Sequence, residues 1–171
     1  MTGGGRGGAA PVAGGGPPEG VELALVGAGR FPETAAARLR PWLGALVGAL
    51  APDWRSLGVR FTGDRAMRRL NRDFRGKDQT TDVLSFAGDA TPASAEGHLG
   101  DIVISVPAAR RQAAAAGHTG DREIRVLLLH GVLHCVGYDH ETDGGEMERL
   151  ERRLRRRWLG PAADGRQRRA R

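Results

Sequence analysis

The sequence predicts an α+β fold, a single compact domain in which a mixed sheet of about four strands packs with about five helices. Three observations predict it. Four short runs carry the alternating or β-branched pattern of strands. Five longer runs carry apolar residues at helical spacing. One of those, "REIRVLLLHGVLHCVG", is apolar almost all round, which only a central, buried helix tolerates.

Taken in order, "GVELALVGAG" alternates and predicts a first, edge strand. Residues 33–50 predict a helix despite Pro41, with Leu39, Leu43, Leu46, Val47 and Leu50 on one side. "LGVRFTGD", residues 57–64, predicts a strand, and Asp64 is placed to cap a helix over 65–75 whose buried stripe is Met67, Leu70 and Phe74. After the polar loop "GKDQTT", residues 82–88 and 99–106 predict two more strands, separated by a loop, "DATPASAEGH". Pro107 suits the first turn of a helix over 107–116 that Gly117 ends. Asp121 opens the central helix and Gly137 ends it. A last helix, about 143–158, starts at Asp143, with Glu146 three residues on in a capping-box pattern.

Composition sets the boundaries of this domain. Residues 1–20 are so rich in Gly, Pro and Ala that they bury too little surface to fold, and are expected to be disordered. The domain then spans 21–159 and a basic tail 160–171. No run has the roughly 18 apolar residues that a membrane span needs, and the N-terminus has no signal-peptide core, so no membrane partner is expected. The single cysteine, Cys135, excludes an internal disulfide, and a cytoplasmic location is the expectation. The net charge is +6, yet residues 152–171 alone hold nine arginines against one aspartate, so the rest is slightly acidic. Any nucleic-acid argument rests on local patches and this tail.

The stretch with most chemistry is "HGVLHCVGYDH", residues 130–140. His130 and His134 are one helical turn apart and share a face. Gly137 lets the chain leave the helix, and His140 can approach the same point from the loop. This is the histidine spacing of the metzincin zinc proteases, with Gly131 in place of the glutamate that serves them as general base. Three imidazoles and an open position describe a catalytic zinc site, one Zn2+ per chain, that lowers the pKa of bound water to about 7. A fourth ligand, Asp139 or Asp143, would instead close the site and make the zinc structural. Cys135 reads as a small buried residue off the ligand face, and His98 and His118 as non-ligands. Without the helix-borne base, peptide hydrolysis is disfavoured.

A second cluster lies on the helix over 65–75, where Arg65, Arg68, Arg69, Arg72 and Arg75 oppose the apolar stripe, with Lys77 beyond it. Such a run is either a solvated face or a phosphate-binding one. Arg75 and Lys77 stand apart, because they sit where a helix meets a loop that feeds a strand. A guanidinium matches two phosphate oxygens at once and stabilises charge on a phosphoryl group. Asp101 and Ser85, in predicted strands, read as structural or supporting residues.

With "NRDFRGKDQTTDVLSF" (71–86), "LGDIVIS" (99–105) and "HGVLHCVGYDH" (130–140) in this order, the chain resembles the YbeY family of bacterial metal-dependent endoribonucleases, over roughly residues 57–158. The resemblance implies a zinc on His130, His134 and His140. It implies cleavage of single-stranded RNA, with roles in 16S rRNA 3′-end maturation and ribosome quality control. It makes Arg75 the catalytic arginine, with Arg75 and Lys77 binding substrate. The implied partners are rRNA, the ribosome, small-subunit proteins and an assembly GTPase. Attack by a zinc-activated water and attack by the RNA 2′-hydroxyl both fit the motifs. The alternatives are an RNA-binding ribosome-assembly factor with a structural zinc, and a metal-dependent peptidase. The Gly-rich start and the Arg-rich end depart from the family pattern.

Overall fold

The computed structural model describes residues 21–88, 97–139 and 143–161, and the expectations for residues 1–20, most of the loop 89–98, His140 and the end of the tail lie outside them. Four strands form one sheet: β1 (Glu22–Val26), β2 (Ser56–Thr62), β3 (Val83–Ala87) and β4 (His98–Ser105), in the order β1-β2-β4-β3. β1 runs parallel to β2 and β2 to β4, whereas β3 closes the edge antiparallel to β4. The parallel pairs need crossovers, and helices α1 (Ala36–Leu50) and α2 (Asp64–Arg75) lie in those connections. Helices α3 (Val106–Ala116), α4 (Gly120–Cys135) and α5 (Glu146–Leu159) follow. The predicted mixed four-stranded sheet with five helices is what forms.

The core explains the arrangement. Leu39, Leu43, Leu46 and Val47 of α1 are fully buried with Leu57, Leu99, Ile102 and Ile104 of the sheet and Ile124, Leu128, Leu129 and Leu133 of α4. Thus α4 is the central helix, with α1, α3 and α5 as neighbours and β3 and β4 beneath it. The other side of β4 and β3 carries a smaller cluster, Met67 of α2 with Leu84 and Val103. Among the described residues no helix is long and apolar enough to cross a membrane.

Five local expectations need correction. The segment before α1 is a separate 3-10 turn, Pro32–Thr34, and Ala35 is extended, so the helix begins at Ala36 rather than 33. Phe74 is not part of a buried stripe: it is 65% exposed, and Asn71 takes the buried place beside Met67. Asp64 does not cap α2, which starts from Gly63. Its carboxylate instead accepts the Ser105 hydroxyl at 2.6 Å and the Arg111 guanidinium at 2.7 Å, tying α2 to the β4–α3 junction. Asp143 does hold the start of α5, accepting the N–H groups of Gly145 at 2.9 Å and Met147 at 2.7 Å, but from outside a helix that begins at Glu146. Thr119, not Asp121, caps α4 through the Arg122 N–H.

The hydrogen bonds from Arg111 and then Ser105 hold the Asp64 carboxyl below the usual carboxylate range. A lowered folded-state pKa contributes stability above the unfolded value, near 4, and that contribution is lost as pH falls through the folded value. Asp64→Asn is therefore expected to be less stable than wild type at pH 7. The gap should close on acidification below about pH 4, as read from urea midpoints across a pH series.

Candidate functional site

The site is built where α4 crosses the β3 edge of the sheet. Helix α4 lies very close to the strands there, and Gly131 is the reason. A β-carbon at this position would stand 2.8 Å and 2.9 Å from two side-chain carbons of Ile102 and 3.0 Å from the Ser85 hydroxyl. The two carbon contacts are closer than β-carbons are found, so a side chain here would push Ile102 aside or lift α4, and glycine permits the close approach. The place where a metzincin carries its glutamate is therefore pressed into the sheet, and no side chain there could reach a substrate. Ser85 and Ile102 form the floor on which the histidine turn rests.

His130 and His134 emerge beside this contact, on the flank of α4 that borders the β3 edge. Their Nε2 atoms are 3.1 Å apart, with the rings edge to face at 75°. His130 Nδ1 meets a carboxylate oxygen of Glu151, from α5, at 3.2 Å. The other oxygen of Glu151 accepts Arg155 at 2.6 Å and 3.2 Å. Burial alone would raise the Glu151 carboxyl, but these hydrogen bonds from His130 and Arg155 outweigh it and hold it below its ordinary value. A carboxylate at Nδ1 selects the tautomer that donates there and turns the Nε2 lone pair toward His134 Nε2 and the cleft.

Two imidazole nitrogens bound at about 2.0–2.1 Å to one tetrahedral zinc stand about 3.3–3.4 Å apart, close to the separation of these two. With an orienting carboxylate behind His130, the pair fits a zinc-binding role. Among the described residues no group of three or more His, Cys, Asp or Glu side chains is arranged to hold a metal. His140 lies outside the described residues. Of the two carboxylates considered as a fourth ligand, Asp139 borders the cleft, whereas both oxygens of Asp143 are engaged at the start of α5. Cys135, the last residue of α4, is buried against Phe86 of β3, and burial pushes its thiol up to about 12, as suits a packing residue. His98 bonds Ser56 and Asp101, and His118 pairs with Glu123, so neither joins the histidine pair.

A helix ending brings in each remaining part. Gly137, at φ 98°, lets the N–H of Tyr138 return to Leu133 O and that of Gly137 to His134 O, a Schellman turn after which Asp139 borders the cleft of the histidines. Gly76, at φ 67°, ends α2 in the left-handed region as well, its N–H bonding Arg72 O at 3.0 Å and that of Lys77 bonding Asn71 O at 3.3 Å. Buried Asn71 then donates to Gln79 O at 2.9 Å, fixing the loop beyond. As a result Arg75, Lys77, Ser85, His130, His134 and Asp139 all line one cleft of about 460 Å3. Arg75 reaches Ser85 O at 3.5 Å. The other arginines of α2 divide: Arg68 forms a two-pronged pair with Asp78, and Arg72 contacts Asp73, both in solvent. Sequence reasoning missed Asn71 and Glu151. Asn71 had a signal, since a polar residue four places after Met67 falls on the apolar stripe. Glu151 had none, because its partner lies 21 residues away.

A small α+β protein with a histidine pair facing an arginine across a cleft at a sheet edge is the class that fold and site define. The model of the family Endoribonuclease YbeY matches residues 35–158. The chain is 56% identical over 94 residues to an endoribonuclease YbeY of Solibacter usitatus, covering 55% of this chain and 60% of that protein. It is 53% identical over 97 residues to the one of Koribacter versatilis, covering 57% and 60%. With the one of Bacillus cereus it shares 45% identity over 108 residues, covering 58% and 69%. The match thus spans about 60% of the length of the first two relatives. A Thermotoga maritima protein solved in solution has a similar fold, with a TM-score of 0.58 at 23% identity over 82% of this chain and 89% of that one. The chain belongs to the YbeY family.

The Gly131 contact is open to a double-mutant test. In an unconstrained helix, alanine for glycine would gain about 1 kcal/mol. Overpacking against Ile102 should cost about 1–3 kcal/mol, so Gly131→Ala is expected to be destabilised on balance. Ile102→Val removes one of the two crowded carbons. The double variant should therefore be more stable than the sum of the single effects by about 0.5 kcal/mol or more in urea unfolding. Simple additivity would mean that α4 lifts off the sheet instead.

Proposed function

We propose that this chain is a zinc-dependent endoribonuclease that cuts single-stranded RNA and acts in rRNA processing, at the 3′ end of 16S rRNA, and in ribosome quality control. The observation that carries this reading is that Arg75 and Lys77 share one cleft with His130 and His134. Membership of a family whose relatives are named endoribonuclease supports it. His130 and His134, with His140, would hold one zinc, which when bound supplies Lewis acidity and an acidified water.

The chain's own residues do the rest. Glu151 keeps His130 in the metal-facing tautomer. The Arg75 guanidinium pairs with the oxygens of the scissile phosphate and stabilises the charge that grows on them. Lys77 holds a flanking phosphate as a point charge. Gly131 offers no carboxylate base, which separates this chemistry from that of a peptidase. Water attack and 2′-hydroxyl attack leave different product ends, which mass spectrometry distinguishes. On this reading the partners are rRNA, the ribosome, small-subunit proteins and an assembly GTPase, and the compartment is the cytoplasm.

Wild type is expected to carry about one zinc per chain and to cut single-stranded RNA. His134→Ala, folded by circular dichroism, should do neither. Arg75→Ala should keep its zinc yet cut about 10²–10³-fold more slowly. Zinc in an uncleaving wild type, with unfolding of His134→Ala, would make the metal structural. Glu151→Gln keeps the shape but weakens the acceptor at His130, and its zinc affinity should fall about 10–100-fold in a chelator competition. Unchanged affinity would show that Glu151 serves only to pack α5.

A further inference from the structure

Behind His130 the cleft continues into a second chamber of about 410 Å3, which shares Asp82, Val83 and His130 with the first. It lies between the end of α3 and the first turns of α4. Its walls are Ala116, Val126 and Leu127, and its polar groups are Gln112, His118, Glu123 and Arg155. The site chemistry described above uses neither His118 nor Glu123. These two form a pair at 3.0 Å whose side chains are only 12% and 9% exposed. Glu123 stands seven residues before His130 on the same face of α4, about 10 Å along the axis, the reach of a neighbouring nucleotide.

We propose that this chamber is a nucleobase subsite that selects guanine at a nucleotide beside the phosphate held in the first chamber. The proposal rests on the endoribonuclease reading. The apolar walls suit the faces of a base, and the floor suits one edge. A carboxylate has about four acceptor positions, and His118 uses one of those on Glu123. Guanine alone among the four bases presents two adjacent donors, N1–H and the 2-amino group, on its Watson–Crick edge. Adenine and cytosine set a single donor beside an acceptor lone pair, and uracil sets one between two, which a carboxylate repels. Burial raises the carboxyl of Glu123 above its usual range, so donors arriving there relieve a real desolvation cost. Gln112 reaches over to Asp82 at 2.8 Å and frames the mouth, and Arg155 lies at the edge, where the backbone of a bound nucleotide would pass.

Two measurements on the full chain test this. The first maps cleavage of single-stranded oligonucleotides that carry guanine, inosine, adenine or uracil at each position around the cut. The second titrates guanosine, inosine and adenosine monophosphates by NMR. One position should favour guanine over inosine by about tenfold or more, because inosine lacks the 2-amino donor. Guanosine monophosphate should bind tightest by a similar factor. Glu123→Gln should erase both preferences. Should that buried variant fail to fold, Ala116→Phe, at an exposed site, fills the chamber and should erase them equally. Cleavage with no base preference and equal binding of the three nucleotides overturns the subsite and leaves the endoribonuclease. Selective guanosine binding without cleavage of any RNA upholds the subsite and overturns the endoribonuclease. Absence of both overturns both, and a preference that survives both variants places the base elsewhere and overturns the proposal.

Discussion

The contact between Gly131 and the Ile102–Ser85 floor is the constraint on which the rest of the molecule depends. It lets α4 lie flat on β3 and β4, which buries Leu128, Leu129, Val132 and Leu133 completely. At roughly 1.5–3 kcal/mol per fully buried large apolar side chain, those four residues are a large part of a marginal domain stability. The same close approach sets the histidines beside the β3 edge, at the height of Ser85, where Arg75 can face them. One missing side chain thus sets both the packing of the central helix and the width of the cleft.

Neighbouring elements reach the cleft through the ends of helices. Arg75 is the last residue of α2 and His134 the next-to-last of α4, so each presents a side chain from a rigid element. Gly76 and Gly137 then reverse the chain, and Lys77 and Asp139 come back along the same cleft. Helix α5 contributes from behind: Glu151 reaches His130, and Arg155 reaches Glu151. Its far end is held by Arg122 of α4, which donates to the carbonyls of Leu159 at 2.8 Å and Gly160 at 3.0 Å. Helix α5 is thereby tied to α4 along its length, and the carboxylate behind His130 sits on a fixed support rather than a loop.

Periodicity made most of this legible. The four strands and five helices follow patterns that burial enforces, and the apolar run of α4 announced its central place. Positions that depend on partners far along the chain were not legible. Asp64 looked like a helix cap because its neighbours in sequence offered nothing else, yet Ser105 and Arg111, 41 and 47 residues on, offered it better partners. Phe74 fell on the helical stripe by spacing, but the sheet beneath α2 supplies only Leu84 and Val103 as fully buried partners, so the last turn overhangs and its ring packs edge to face on Phe86. The histidine motif was read for its ligands and for the absence of a base. That Gly131 is required by packing emerges only when Ile102 is brought against it.

This packing requirement bears on the chemistry. A peptidase needs a fixed carboxylate beside the metal to take a proton from water. Here that position is filled by the sheet, so the family's chemistry must draw its advantage from elsewhere. A phosphodiester already carries the charge that a cationic cleft can use, and the cleft supplies a guanidinium and an ammonium opposite the histidines. Arg68 and Arg72 are paired with Asp78 and Asp73, whereas Arg75 and Lys77 are the cations at this end of α2 that line the cleft. On the proposed reading, cations on one wall, a carboxylate-backed histidine pair on the other and no room for a helix-borne base between them would favour an anionic backbone over a neutral amide.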